Sequence, residues 1–125
     1  QCGVGVVNHY YLARMRAGVN GKKDQQFANE VKIVMPKPAH VNISAAAVSR
    51  YSKNKKNAVK LIEFLSSPQG SAGIAGPTYE FPLKGVGGST YLKGMTNFTP
   101  DTVTISQLSR YNKEAIRLMT EAGWK

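Results

Sequence analysis

Gly3-Val4-Gly5-Val6-Val7-Asn8-His9-Tyr10-Tyr11-Leu12-Ala13-Arg14-Met15-Arg16-Ala17-Gly18 is the stretch on which the fold turns. Its first five residues are apolar, β-branched or glycine, and read as an interior strand of the parallel type. From Leu12 to Ala17 the residues are mostly good helix formers, and Gly18 closes the run. Asn8 stands at the junction as a helix cap. In open α/β sheets, ligands bind beyond the carboxyl ends of the strands. Tyr10 and Tyr11 therefore fall where such an architecture holds its ligand.

Two adjacent phenols have a definite chemistry. A phenolate is a hard anionic oxygen donor and suits a hard cation. Free tyrosine titrates near pH 10 (about 10 in model peptides), so it is protonated at neutrality. A strongly acidic cation such as ferric iron displaces that proton, which ties affinity to pH. The positive end of a helix favours the ionised form as well. Spacing alone leaves a second reading open, in which both are amphipathic core residues whose hydroxyls meet water or backbone.

At 125 residues and 42% hydrophobic content the chain suits one globular domain with a real core. No apolar run approaches the roughly 20 residues of a transmembrane helix. The sequence does not open on Met, and its first residues do not read as a signal peptide. An opening directly in an interior strand leads us to expect the downstream piece of a longer protein, with its N-terminal part missing. Gly123-Trp124-Lys125 reads as its true C-terminus. The single Cys2 excludes an internal disulfide and a cysteine zinc site.

Seventeen basic residues against 7 acidic ones give a net charge of +10, which raises nucleic acid as a partner. Lys22, Lys23, Lys53, Lys55, Lys56, Arg110 and Lys113 are scattered along the chain, and no basic run interleaves with aromatics as in single-strand binders. We therefore expect a solvated basic surface and no nucleic-acid partner. Nor is an enzyme expected. His9 and His40 are far apart, no acidic pair suggests acid–base work, and no nucleophile elbow is present.

Further along, residues 18–26 read as a polar turn and residues 27–29 as the close of a short helix. Glu30-Val31-Lys32-Ile33-Val34-Met35 alternates as a strand, broken by Pro36-Lys37-Pro38. His40-Val41-Asn42-Ile43-Ser44 reads as a second extended segment, with Ser44 capping Ala45-Ala46-Ala47-Val48. Ala58, Leu61, Ile62 and Leu65 make one helical stripe. Ser67 and Pro68 cap and open the next element. The stretch from Gly70 to Gly76 fits either a close-packed helix or a loop. Tyr79-Glu80-Phe81-Pro82-Leu83 reads as extended, and Gly85 to Gly88 as flexible, without phosphate-loop spacing. A last helix spans roughly 113–122, with Ala115, Leu118, Met119 and Ala122 as its buried stripe and Gly123 as its stop.

Four stretches together resemble the C-terminal half of ferric-iron-binding periplasmic proteins, the bacterial transferrin type of ABC-importer substrate-binding protein. Asn8-His9-Tyr10-Tyr11-Leu12-Ala13-Arg14 is similar to that family's Asn-x-Tyr-Tyr segment. His40-Val41-Asn42-Ile43-Ser44 is similar to its His-Val-Asn-Ile-Ser strand. Asn57-Ala58-Val59-Lys60-Leu61-Ile62-Glu63-Phe64-Leu65-Ser66-Ser67-Pro68 matches its helix and Ser-Pro break. Glu114-Ala115-Ile116-Arg117-Leu118-Met119, with Gly123-Trp124-Lys125, matches its terminal helix. They stand in order and cover nearly the whole chain.

The resemblance implies an α/β fold, the C-terminal part of a two-lobed class II periplasmic binding protein of the Venus-flytrap kind. Residues 1–125 would contribute to the C-terminal lobe and to hinge and return segments. Ferric iron, Fe(3+), would sit between the lobes on the phenolates of Tyr10 and Tyr11. Asn8 would help hold a synergistic anion in those members that use one. The remaining ligands and the signal peptide would lie upstream. The implied protein is a periplasmic monomer, not embedded in the membrane, that hands iron to the permease of an ABC importer. An organic ligand such as a polyamine, sugar or phosphonate is the alternative within binding proteins, and a basic nucleic-acid-binding module the alternative outside them. Against the family pattern, His9 stands where a small or polar residue is expected and is read as solvated. Residues 36–39 are shorter, and residues 70–76 richer in glycine, than the pattern.

Overall fold

Some helices of this chain start on a side-chain cap, and others form without one. The computed structural model describes residues 3–83 and 88–124. It contains α1 (His9–Arg16), α2 (Lys22–Glu30), α3 (Lys55–Leu65), α4 (Pro68–Thr78), a single 3₁₀ turn (Thr90–Leu92) and α5 (Ile105–Glu121). Two compact units share the chain: Gln1–Val34 with Ile43–Asn97, and Met35–Asn42 with Phe98–Lys125. Cys2 lies outside the described residues, as do residues 85–87 of the stretch expected to be flexible and Lys125.

In the first unit α1 packs on α2 and on the 3₁₀ turn. Leu12 and Ala13 of α1, Ala28 of α2, Leu92 and Met95 form the core, with Met15, Val31, Ile33, Tyr79 and Phe81 packed around it. Gly18 takes φ 72, a conformation glycine adopts without steric cost, and its N–H closes α1 on the Met15 carbonyl at 2.9 Å. Helix α2 then begins at Lys22, inside the stretch expected to be a polar turn. Lys22, Lys23 and Gln26 are exposed while Ala28 is buried, so the polarity marks a solvent face.

Ser67 and Pro68 behave as expected. The Ser67 hydroxyl accepts from the Gly70 N–H at 3.1 Å, and Pro68 opens α4. The glycine-rich stretch from Gly70 to Gly76 is helical. Gly70 is required by close approach: a Cβ there would lie 2.1 Å from the Phe64 carbonyl oxygen. Buried Ser71 accepts from the Leu83 N–H at 2.7 Å, which ties the following segment to α4. Of the expected α3 stripe, Ala58, Ile62 and Leu65 are half-buried, whereas Leu61 is exposed.

Residues 3–7, 31–35 and 40–44, expected as strands, carry no ladder among the described residues. A strand satisfies its backbone through a neighbour, and an apolar run does not supply one. Val4 and Val6 remain 87% and 88% exposed. Glu30 belongs to α2. Nor does Ser44 cap a helix. Its hydroxyl serves the Glu80 carboxylate, and residues 45–48 are irregular.

The second unit holds a parallel bridge between Ala39 and Pro100. Ala39 donates to the Thr99 carbonyl and Asp101 to the Ala39 carbonyl, both at 2.8 Å. Within this unit His40 Nδ1 also meets Asp101 Oδ2 at 3.1 Å. Helix α5 starts at Ile105, well before the expected Lys113, because Thr104 and Gln107 form a capping box. Its expected buried stripe, Ala115, Leu118, Met119 and Ala122, is exposed. Gly123 (φ 68) stops the helix as expected. No described helix is long and apolar enough to cross a membrane.

Candidate functional site

The first turn of α1 brings the three sequence-predicted site residues together. Asn8 is the cap residue in extended conformation (φ −68°, ψ 142°), but its side chain does not cap the helix. Its Nδ2 instead donates to the Tyr10 hydroxyl at 3.3 Å. Tyr10 and Tyr11 lie side by side, ring centroids 4.6 Å apart and planes tilted by 46°. Tyr10 is half-buried, and Tyr11 is 48% exposed.

The neighbouring Tyr11 hydroxyl dominates the electrostatics of Tyr10. It pushes the Tyr10 phenol above the ordinary phenol range, because a shared proton resists removal. Burial and the negative charge of an ionised Tyr11 act in the same direction, as does Glu80 more weakly, while the Asn8 amide acts against them. Tyr10 is therefore held protonated, and only a strongly polarising cation would convert its oxygen to an anionic donor.

Glu80 is the residue that sequence reasoning missed. Tyr10, Arg14, Val19, Pro77, Thr78, Tyr79 and Glu80 line one hollow of about 460 Å³. The Ser44 hydroxyl lies 3.1 and 3.2 Å from the two Glu80 carboxylate oxygens. Glu80 reaches the site from a loop 70 positions along the chain from Tyr10. A lone acid in an extended run offers no spacing signal.

His9, read as solvated, is half-buried. Its ring stacks on Phe81, centroids 4.3 Å apart and planes within 10°. An edge-on contact of 5.9 Å joins it to Tyr10. Burial lowers its pKa below the ordinary histidine value, while a hydrogen bond with the Tyr79 backbone and the Glu80 charge oppose that shift. Nε2 is buried with no partner among the described residues.

A second hollow, about 410 Å³, is lined by Arg16, Ala28, Asn29, Thr90, Tyr91 and Lys93. The Arg16 guanidinium is occupied there in holding the Lys93 carbonyl at 3.0 Å. Among the described residues no group of three or more His, Cys, Asp or Glu side chains could hold a metal.

Comparison with known proteins supplies relatives for this chain. The chain is 32% identical to iron uptake protein A1 of Synechocystis, over 96% of this chain and 34% of that protein. It is 29% identical to iron uptake protein A2 of Synechocystis, over 98% of this chain and 37% of that protein. Among solved structures it is similar to a Bordetella ferric binding protein, with a TM-score of 0.82 and 32% identity, covering 92% of this chain and 38% of that one. No family model matches. The chain thus spans about a third of the length of the relatives it matches. These matches bear out the resemblance to ferric-iron-binding proteins, and with it the fold of a part of a class II periplasmic binding protein. The relatives are named for iron uptake and binding and not for a catalysed reaction.

Proposed function

We propose that this chain supplies two phenolate oxygens, from Tyr10 and Tyr11, to a ferric ion held in the cleft of a two-lobed periplasmic protein, which delivers the iron to the permease of an ABC importer. The reading is carried by the paired phenols at the start of α1, with centroids 4.6 Å apart. The relatives' names favour iron over an organic ligand. Asn8, already bonded to the Tyr10 hydroxyl, orients that oxygen and stands beside the position a synergistic anion would take. Residues 1–125 act as the C-terminal portion of the whole protein, whose remaining part supplies the second lobe and the other ligands. That part would also cover apolar side chains left exposed in this chain, such as Val4, Val6 and Leu118.

Iron that bridges two lobes binds the closed state more tightly than the open one, so the permease can distinguish loaded from empty protein. Each phenol gives up its proton to the metal, so loading releases protons and acid opposes it. The expected outcome for the full-length protein is a ferric affinity that falls as pH drops below neutrality, measured against a chelator of known pH response. Tyr10→Phe and Tyr11→Phe should each release fewer protons per iron bound. An affinity that stays flat across acid pH in a folded protein would overturn phenolate ligation.

A further inference from the structure

His9 departs from chemical economy. A neutral imidazole has one donor and one acceptor nitrogen, and here one nitrogen is buried without a partner among the described residues. Such an atom costs stability that an apolar side chain of similar size would not. The ring nevertheless makes two aromatic contacts, one of them with a phenol. It is the first residue of α1, immediately before Tyr10. It lies flat on Phe81 and touches Tyr10 edge-on. Tyr79 and Phe81 flank Glu80, whose carboxylate shares the hollow of Tyr10 and is held by Ser44.

We propose that His9 is a positioning residue for iron binding: its stack on Phe81 pins the first turn of α1 to the Tyr79–Phe81 segment and so presets Tyr10 relative to Glu80 before the metal arrives. This rests on the ferric reading above. A helix beginning without a side-chain cap has few local restraints on its first turn. The stack supplies one from outside the helix. Groups that orient ligands without touching the metal govern affinity, because a ligand set already in place loses less freedom on binding.

The test uses the full-length protein with ferric iron, a competing chelator and the visible phenolate band. His9→Ala should lower ferric affinity by about 10- to 100-fold, the usual effect of removing a ligand-orienting group, and shift or weaken the band per bound iron. His9→Phe keeps a flat ring against Phe81 and should recover most of both. His9→Leu keeps bulk without the flat ring and should behave as Ala, which preserves the comparison if His9→Ala does not fold. Failure of Phe to outperform Leu would overturn the proposal. Wild-type affinity and band in both His9→Ala and His9→Leu would do the same, while a loss in Tyr10→Phe would leave the ferric reading standing. An unchanged band in Tyr10→Phe and Tyr11→Phe would remove that reading and this inference together.

Discussion

Helices α1 and α5 are held by opposite means. The eight-residue α1 has no side-chain cap and no acid in its first turn, yet it buries Leu12 and Ala13. The 17-residue α5 has a full capping box and the Arg117 ion pairs with Glu114 and Glu121, yet buries nothing. Short helices are marginal without packing, so α1 exists because the core around it exists. What the contrast teaches is where local chemistry has been diverted. At α1 the residue in the cap position bonds a phenol in place of the backbone, and the next residue stacks on a neighbouring segment. The polar groups that would stabilise an ordinary helix start are committed to the candidate site.

Core substitution should separate the two most sharply. Met95 has no exposed surface and packs with Leu12 and Ala13. Met95→Ala should cost about 2–5 kcal/mol, the range for deleting a large buried side chain. Leu118→Ala on the exposed face of α5 should stay within about 0.5 kcal/mol in this chain. Denaturant unfolding of the two variants measures both, and equal losses would break the contrast.

A smaller effect is expected at the α3–α4 junction. Gly70→Ala forces a Cβ against the Phe64 carbonyl and should cost about 1–3 kcal/mol, as overpacking does. Gly73, with nothing within 4 Å of an added Cβ, should instead accept Ala with a gain of up to about 1 kcal/mol from helix propensity. Matching signs at the two positions would show that close approach does not set Gly70.

The smallest effect belongs to α5. Arg117 holds the Glu114 carboxyl below its usual pKa through their hydrogen bond. A depressed carboxyl adds stability above its unfolded value, and that contribution fades as pH falls through the lowered folded value. Helix content of α5 should therefore drop slightly below about pH 4.3, the ordinary Glu value, and Arg117→Ala should remove that part of the pH dependence. Both groups are exposed, so the change is small. A circular-dichroism titration resolves it.

What was legible in the sequence divides along the same line. Ser67, Pro68, Gly123 and most of α3 could be read because each acts on its own neighbours. The phenol pair could be read because its two members are adjacent. The strand expectations at residues 3–7, 31–35 and 40–44 did not appear, because ladders depend on partners that periodicity does not reveal. Glu80 and the His9–Phe81 stack escaped notice because each joins the α1 turn to a loop some 70 residues away, and neither carries a motif. Ser44 looked like a cap, and its hydroxyl went to a carboxylate far along the chain.

The central claim is that Tyr10 and Tyr11 together hold ferric iron. It is tested most directly by the visible charge-transfer band of the full-length protein loaded with one equivalent of ferric iron, compared with Tyr10→Phe, Tyr11→Phe and the double variant. Each substitution removes only a hydroxyl, and circular dichroism should confirm that the fold is kept. The account predicts a weaker band in each single variant and none attributable to this chain in the double variant. A band of full intensity in the double variant would contradict it.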